Sequence, residues 1–423
     1  MNPKATISFS TPNSQRFEHG PGLASGLRDL PRYLNVNTVT TGLVAAVFGC
    51  TGPALIVLNA ATKGHLTTVQ AISWLFGIYF LGGLVSVLMA LYYKQPICGA
   101  YNIPAAVMLV SSLSMFSLNQ AVGAYIIAGV LVFILGVSGL IGKVMRLLPL
   151  PIVMAMIAGA MIHFGTGIIT STQSSPYIGL AALIGFLILP RISKKIPPVL
   201  GALVLGIIVA GVVGGLHWSG EQYKFIAPRL VMPQFTLNAV FSIAIPLAAL
   251  VIGSENAQAI GVLTGQGYQA PVNMITMVSG IGSILVSFFG GHNVNIAGPM
   301  TAICATEEAG ENKEGRYAAA VVNGVVFGGF GLIASIAVAF VSDLPKDLIG
   351  IVAGLAMIGV LISAFNEAFS SKKFKHGAFF ALVIAMSGVT LLKISAPFWA
   401  LVGGAIVSFL VEPKDFESTK IMQ

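Results

Sequence analysis

Residues 290–299 read Gly-Gly-His-Asn-Val-Asn-Ile-Ala-Gly-Pro, a polar and turn-forming stretch between two apolar runs in a chain that is otherwise almost entirely greasy. At membrane depth no water satisfies an unpaired amide, so irregular backbone survives only where protein buries it or where it lines a cavity. The stretch therefore points to a site. A counterpart lies at residues 95–104 (QPICGAYNIP), and paired Gly/Pro-interrupted spans in the two halves of a chain are the sequence mark of a transporter's binding site.

Working outward, the composition sets the class. Hydrophobic residues make up 56% and charged residues 9%, against roughly 25% charged in soluble domains. The chain is expected to be an all-α polytopic membrane protein. Residues 1–34 carry Lys4, Arg16, Arg28 and Arg32 with no apolar signal core, which marks a cytoplasmic tail whose end, 23–34, suits a short interfacial helix. The formal charge of +8 fits basic loops on an anionic leaflet, and nucleic acid is excluded as a partner. Cys50, Cys98 and Cys304 are odd in number and lack metal-ligand spacing, so they read as packing residues. No cofactor or metal is expected.

A spanning helix needs about 20 apolar residues. Fourteen candidate spans follow, near 38–60, 68–92, 96–115, 119–141, 150–169, 177–190, 198–216, 239–264, 271–289, 292–306, 317–341, 347–368, 376–392 and 396–411. With the N-terminus inside, one face collects Lys4, Arg16, Arg28, Arg32, Lys94, Lys143, Arg146, Arg191, Lys194, Lys195, Lys313, Arg316, Lys372, Lys373, Lys375, Lys414 and Lys420, which is 17 of the 22 basic residues. The other holds Lys63, Lys224, Arg229, Lys346 and Lys393. The positive-inside rule thus favours an even count with both termini cytoplasmic.

The longest outer loop, 217–238, separates a first repeat at 35–216 from a second at 239–412, and 413–423 form a second cytoplasmic tail. Gly49 in Val47-Phe-Gly-Cys-Thr-Gly-Pro aligns with Gly253 in Val251-Ile-Gly-Ser-Glu-Asn, and Asn102 aligns with Asn295. Seven spans per half is odd, so the second half would be inverted, with its sites near the midplane.

Ionisable groups inside spans are functional candidates by default. Glu255, in the middle of the eighth span, is the strongest: burial disfavours a charged carboxyl, which suits it to load and release a coupling proton. Asn256 and Gln258 orient it, reach the substrate, or glue helices together. In the tenth span His292 has an imidazole whose ordinary titration range covers physiological pH, and Asn293 and Asn295 offer side-chain donors. A helix starting near Pro299 would aim backbone N–H groups into a cavity, and Tyr101 and Asn102 before Pro104 repeat the arrangement. Thr51, in the Val47-Phe-Gly-Cys-Thr-Gly-Pro segment of the first span, completes the substrate candidates.

His163 reads as a hydrogen-bonding packing residue. Asn366 and Glu367 end the twelfth span, and Glu307, Glu308, Glu311 and Glu314 form a solvated acidic loop. Tyr79 and Phe76 read as core or lipid-facing residues. There is no HExxH, P-loop or GxSxG motif, which argues against an enzyme or an ATP-driven pump and leaves an ion gradient as the energy source. An intramembrane enzyme would need His163, Glu255 and His292 to converge. A channel would need a continuous polar path, whereas one buried acid between two broken spans describes a single occluded site.

Several segments resemble the benzoate:proton symporter (BenE) family: Leu27-Arg-Asp-Leu-Pro-Arg-Tyr33, Ser254-Glu-Asn-Ala-Gln-Ala-Ile-Gly-Val262, Gly267-Tyr-Gln-Ala-Pro-Val-Asn273, and Gly290-Gly-His-Asn-Val-Asn295 with Ile303-Cys-Ala305. That family is similar in fold to the uracil permease and the sulfate and bicarbonate transporters. The resemblance implies a seven-plus-seven inverted repeat with short strands in spans three and ten. It also implies a core domain (spans 1–4 and 8–11) moving elevator-like against a gate domain (spans 5–7 and 12–14), and a site acid matching Glu255. Nucleobase relatives carry a second carboxylate or glutamine motif where this chain has His292, Asn293 and Asn295, which argues against a nucleobase. The expected activity is proton-coupled uptake of benzoate or a similar small aromatic carboxylate across the inner membrane by alternating access. Another organic or inorganic anion is the alternative. The partners expected are that anion, a proton and the lipid bilayer, with a homodimer allowed.

Overall fold

The computed structural model describes residues 17–141, 149–192, 197–216 and 224–418. Most of the first tail, part of the 217–238 loop, and Lys4, Arg16, Lys143, Arg146, Lys194, Lys195 and Lys420 lie outside these residues. Each of the fourteen apolar runs contains a helix. Among the described residues, six helices are long and apolar enough to cross a membrane, or seven if one bent pair is a single span.

The amphipathic helix α1 (Leu23–Tyr33) precedes the bundle. Leu23 and Leu27 are exposed, while Leu30 and Tyr33 pack inward. Asp29 binds Lys94 at 2.7 Å, and Tyr317 donates to the Gly26 carbonyl, so α1 is fastened to the ends of two later helices. The first span is broken: α2 (Val36–Cys50) gives way to α3 (Gly52–Lys63) at Thr51, whose backbone is non-helical. The cause is local, since Pro53 has no N–H to give the Gly49 carbonyl. Tyr79 supplies the missing donor from α4 (Thr68–Tyr93), at 2.9 Å.

Next come strand β1 (Gly99–Ala100), α5 (Ile103–Ser112) and α6 (Leu118–Ser138). After them stand α7 (Leu150–Ser174), α8 (Pro176–Ile192) and α9 (Pro198–Val212). The second half opens with α10 (Leu237–Gly265), which contains π-helical stretches at Val240–Ala244 and Val251–Asn256. It continues through α11 (Val272–Ser287), strand β2 (Asn295–Ile296) and the short α12 (Gly298–Cys304). Then follow α13 (Tyr317–Leu332) and α14 (Ala334–Ser342), bent against each other by 64° where sequence patterning suggests one straight span. The glycine-rich end of α13, Gly328-Gly-Phe-Gly331, has low helix propensity, which explains the break. Helices α15 (Lys346–Phe369), α16 (Lys375–Ser387), α17 (Ala396–Val411) and α18 (Pro413–Ser418) complete the chain.

The helices associate in two groups. In one, α4 packs on α13, α13 on α2, and α6 on α11; in the other, α7 packs on α15, α16 and α17, and α8 on α9. Without a hydrophobic force between helices in lipid, close backbone approach does the packing. A Cβ on Gly83 of α4 would collide with the Gly324 carbonyl and the Gly328 amide of α13. Between the groups, α3 meets α15 and α5 meets α7. The site lies beside this seam.

Candidate substrate site

The stretch at 290–299 folds as a turn, a strand and a helix start. Gly290 has φ 79°, a left-handed conformation that favours glycine. A Cβ on Gly291 would lie 2.5 Å from Val286 Cγ2. The pair thus turns the chain back from α11 across the bundle. Buried amides in this segment find protein partners, as backbone at membrane depth requires. Val294 N–H donates to Ser283 Oγ at 3.1 Å, Ile296 N–H to Asn256 Oδ1 at 2.9 Å, and Ala297 N–H to the Cys98 carbonyl at 2.8 Å. Gly298 N–H donates to Glu255 Oε2 at 3.0 Å. The strands pair antiparallel, Gly99 opposite Ile296 and Ala100 opposite Asn295.

Asn102 ties the two crossing segments together. Its backbone N–H donates to Asn293 Oδ1 at 3.1 Å, and its carbonyl lies 3.0 Å from His292 Nε2. Its side chain caps α5 by accepting from Ala105 N–H at 2.8 Å, and donates to the Leu250 carbonyl on α10 at 2.9 Å. Leu250 adjoins the π-helical stretch Val251–Asn256, an irregularity often found at functional sites, which carries Ser254, Glu255 and Asn256. Asn293 in turn donates to Asn295 Oδ1 at 3.1 Å.

A cavity of about 1080 Å³ runs from the face that carries α1 to Glu255. Val36, Asn37, Glu307 and Glu308 stand at its mouth, Thr51, Ser254 and Gln258 line its depth, and Phe48, Ile157 and Leu355 supply apolar wall. Among the described lining residues the charged ones are Glu255, Glu307 and Glu308; no lysine or arginine is present. Glu255 also borders a small inner pocket with Phe48, Tyr101, Met300 and Phe327. At about 10 Å³ it has room for one water at most. Tyr101 closes this pocket, its hydroxyl 2.8 Å from that of Tyr79. Tyr79 already donates to Gly49, so the bridging hydrogen belongs to Tyr101.

The structure thus places Thr51, Glu255 and Gln258 on the main cavity and Tyr101 on the inner pocket. Asn102, His292, Asn293 and Asn295 are fully buried behind the wall and bonded to one another or to backbone. His163 is exposed on α7, outside the cavity, so the packing role and the convergence with Glu255 and His292 both fail. Asn256 is a brace, exchanging hydrogen bonds with Ser279 while holding Ile296. Sequence reading missed Ser279 and Ser283, though Ser279, Ser283 and Ser287 recur every four residues on α11 and so mark one polar stripe. Trp74 carried no such signal.

Two half-helices entering from antiparallel strands, with a buried carboxylate between them inside a bundle of membrane-type helices, define a membrane transporter. The chain belongs to the BenE family: the family model described as benzoate membrane transport protein matches residues 32–410. It is 29% identical over 373 residues to the inner membrane protein YdcO of Escherichia coli, covering 87% of this chain and 94% of that one. It is 28% identical over 389 residues to the benzoate membrane transport protein of Acinetobacter baylyi, covering 92% and 98%. In fold it resembles the transmembrane domain of a cyanobacterium bicarbonate transporter, BicA, with TM-score 0.59, 17% identity and coverage of 88% and 97%. SLC26A9 gives TM-score 0.60 at 15% identity, covering 91% of this chain and 67% of that one. Family and fold are those of multi-pass transporters, not of enzymes.

Proposed function

We propose that this protein is a secondary transporter of the inner membrane that takes up benzoate, or a similar small aromatic carboxylate, together with one proton by alternating access. The observation that carries the reading is the cavity ending on Glu255 with no cationic side chain among its described lining residues. Two unit negative charges 4 Å apart repel by about 4 kcal/mol at an effective dielectric constant of 20. A neutral hydrogen bond returns only about 1 kcal/mol. A carboxylate therefore settles beside Glu255 only when Glu255 carries a proton, and the pair crosses without net charge. Thr51, Ser254 and Gln258 offer the donors, and Phe48, Ile157 and Leu355 face the ring. Asn102, His292, Asn293 and Asn295 hold the frame that presents these groups.

The fourteen segments are read as seven plus seven inverted spans, which the antiparallel crossing of β1 and β2 supports. The two packing groups support a core (spans 1–4 and 8–11) that moves against a gate (spans 5–7 and 12–14). With both termini cytoplasmic, the cavity open beside α1 is an inward-facing one. The solubilised protein should be stabilised against heat by benzoate, by less as the pH is raised, and not by uracil, sulfate or bicarbonate. Stabilisation by sulfate or bicarbonate without benzoate would assign the site to an inorganic anion instead.

A further inference from the structure

Trp74 lies on α4, is fully buried, and touches neither the main cavity nor the inner pocket. Its indole Nε1–H donates to His292 Nδ1 at 3.0 Å. An indole nitrogen can only donate, so Nδ1 of His292 must be the bare, accepting nitrogen. The ring hydrogen then belongs to Nε2, which donates to the Asn102 carbonyl at 3.0 Å. An imidazole protonated on both nitrogens would turn two N–H groups against each other at Trp74. The opposite tautomer would do the same there and would also leave the Asn102 carbonyl facing a lone pair. The rings of Trp74 and Tyr101 stand edge-on to the imidazole, at 5.7 and 5.6 Å, and hold its plane.

We propose that Trp74 is a positioning residue for transport: it anchors the imidazole of His292 by its bare Nδ1, and through His292 the corner where β1 turns into α5. The corner matters because Ile103 and Pro104, the next two residues, line the cavity. Asn102 has its N–H held by Asn293 and its carbonyl by His292, so two adjacent residues of the opposite crossing segment set where α5 begins. The inference rests on the transport reading above and takes His292 out of proton coupling.

The test has two arms. In ¹⁵N-histidine-labelled wild-type protein, the resonances that vanish in His292→Gln should show a protonated Nε2 and a bare Nδ1. In Trp74→Phe, which keeps an aromatic ring and loses the N–H, the bare Nδ1 should lose its hydrogen-bond shift while Nε2, still held by the Asn102 carbonyl, stays protonated. The KM for benzoate should rise about five- to tenfold, the effect of losing one buried hydrogen bond, with the maximal rate within about twofold. His292→Gln retains one acceptor and one donor and should stay closer to wild type than His292→Leu. A protonated Nδ1 in the wild type overturns the proposal, as does an unchanged KM in Trp74→Phe. If that variant does not fold, the wild-type tautomer and the Gln–Leu pair decide the matter. If wild-type protein transports no benzoate, the transport reading fails while the tautomer arm still reports on Trp74.

Discussion

Glu255→Gln is expected to remove the stimulation of benzoate uptake by a pH gradient while leaving benzoate exchange intact. Glutamine has nearly the shape of glutamate, and its Oε1 can still accept from Gly298 N–H, which in the native protein is held at 3.0 Å. What it lacks is a titratable proton. The native carrier must pick up that proton before the anion settles, whereas the amide is permanently neutral and binds the anion at any pH. At one proton per anion, each pH unit contributes about 1.4 kcal/mol. A gradient of about two units therefore drives the native carrier strongly and should leave the variant unmoved. Initial rates in proteoliposomes check this, with protein-free vesicles subtracted because neutral benzoic acid itself crosses bilayers. A variant still stimulated by the gradient would place the coupling proton elsewhere.

Gly298→Ala should cost at least about fivefold in transport rate. A Cβ there would stand 2.5 Å from Gln258 Cβ and 2.8 Å from Gln258 Oε1, so the start of α12 could no longer lie against α10. The amide that holds Glu255 belongs to the same residue, and overpacking of this kind costs about 1–3 kcal/mol. Each 1.4 kcal/mol lost from transport is about a factor of ten. Gly329→Ala, on α13 where a new Cβ meets nothing within 4 Å, is the matched control. Parallel uptake and thermal-unfolding measurements on both variants check the contrast; wild-type transport by Gly298→Ala would mean that the α10–α12 contact does not set the site.

Much of this architecture is legible in the sequence because prolines and glycines leave marks that apolar runs do not. Pro104 and Pro299 each sit at the second position of a half-helix, and residues a few positions before them form the paired strands. Glu255 stands out as an acid in the middle of an apolar span. The break at Thr51 is harder to see: Pro53 suits a first helical turn, but only the structure shows the Gly49 carbonyl turning to Tyr79. The roles of His292, Asn293 and Asn295 were legible as polarity and not as geometry. A polar side chain at membrane depth must find a partner, and whether that partner is substrate or protein depends on residues such as Trp74, 218 positions away. The cavity's lack of cationic side chains belongs to the assembled fold, because its described lining is drawn from helices of both halves.

The central claim is that one proton and one carboxylate cross together as a neutral pair. Its most direct test is the protein-dependent initial rate of labelled benzoate uptake into proteoliposomes, with pH gradient and membrane potential imposed separately. The account predicts that an inside-alkaline gradient accelerates uptake at zero potential, and that a potential alone leaves the rate unchanged. Acceleration by an inside-positive potential, with indifference to the pH gradient, would make the protein a carrier of the bare anion and would contradict it.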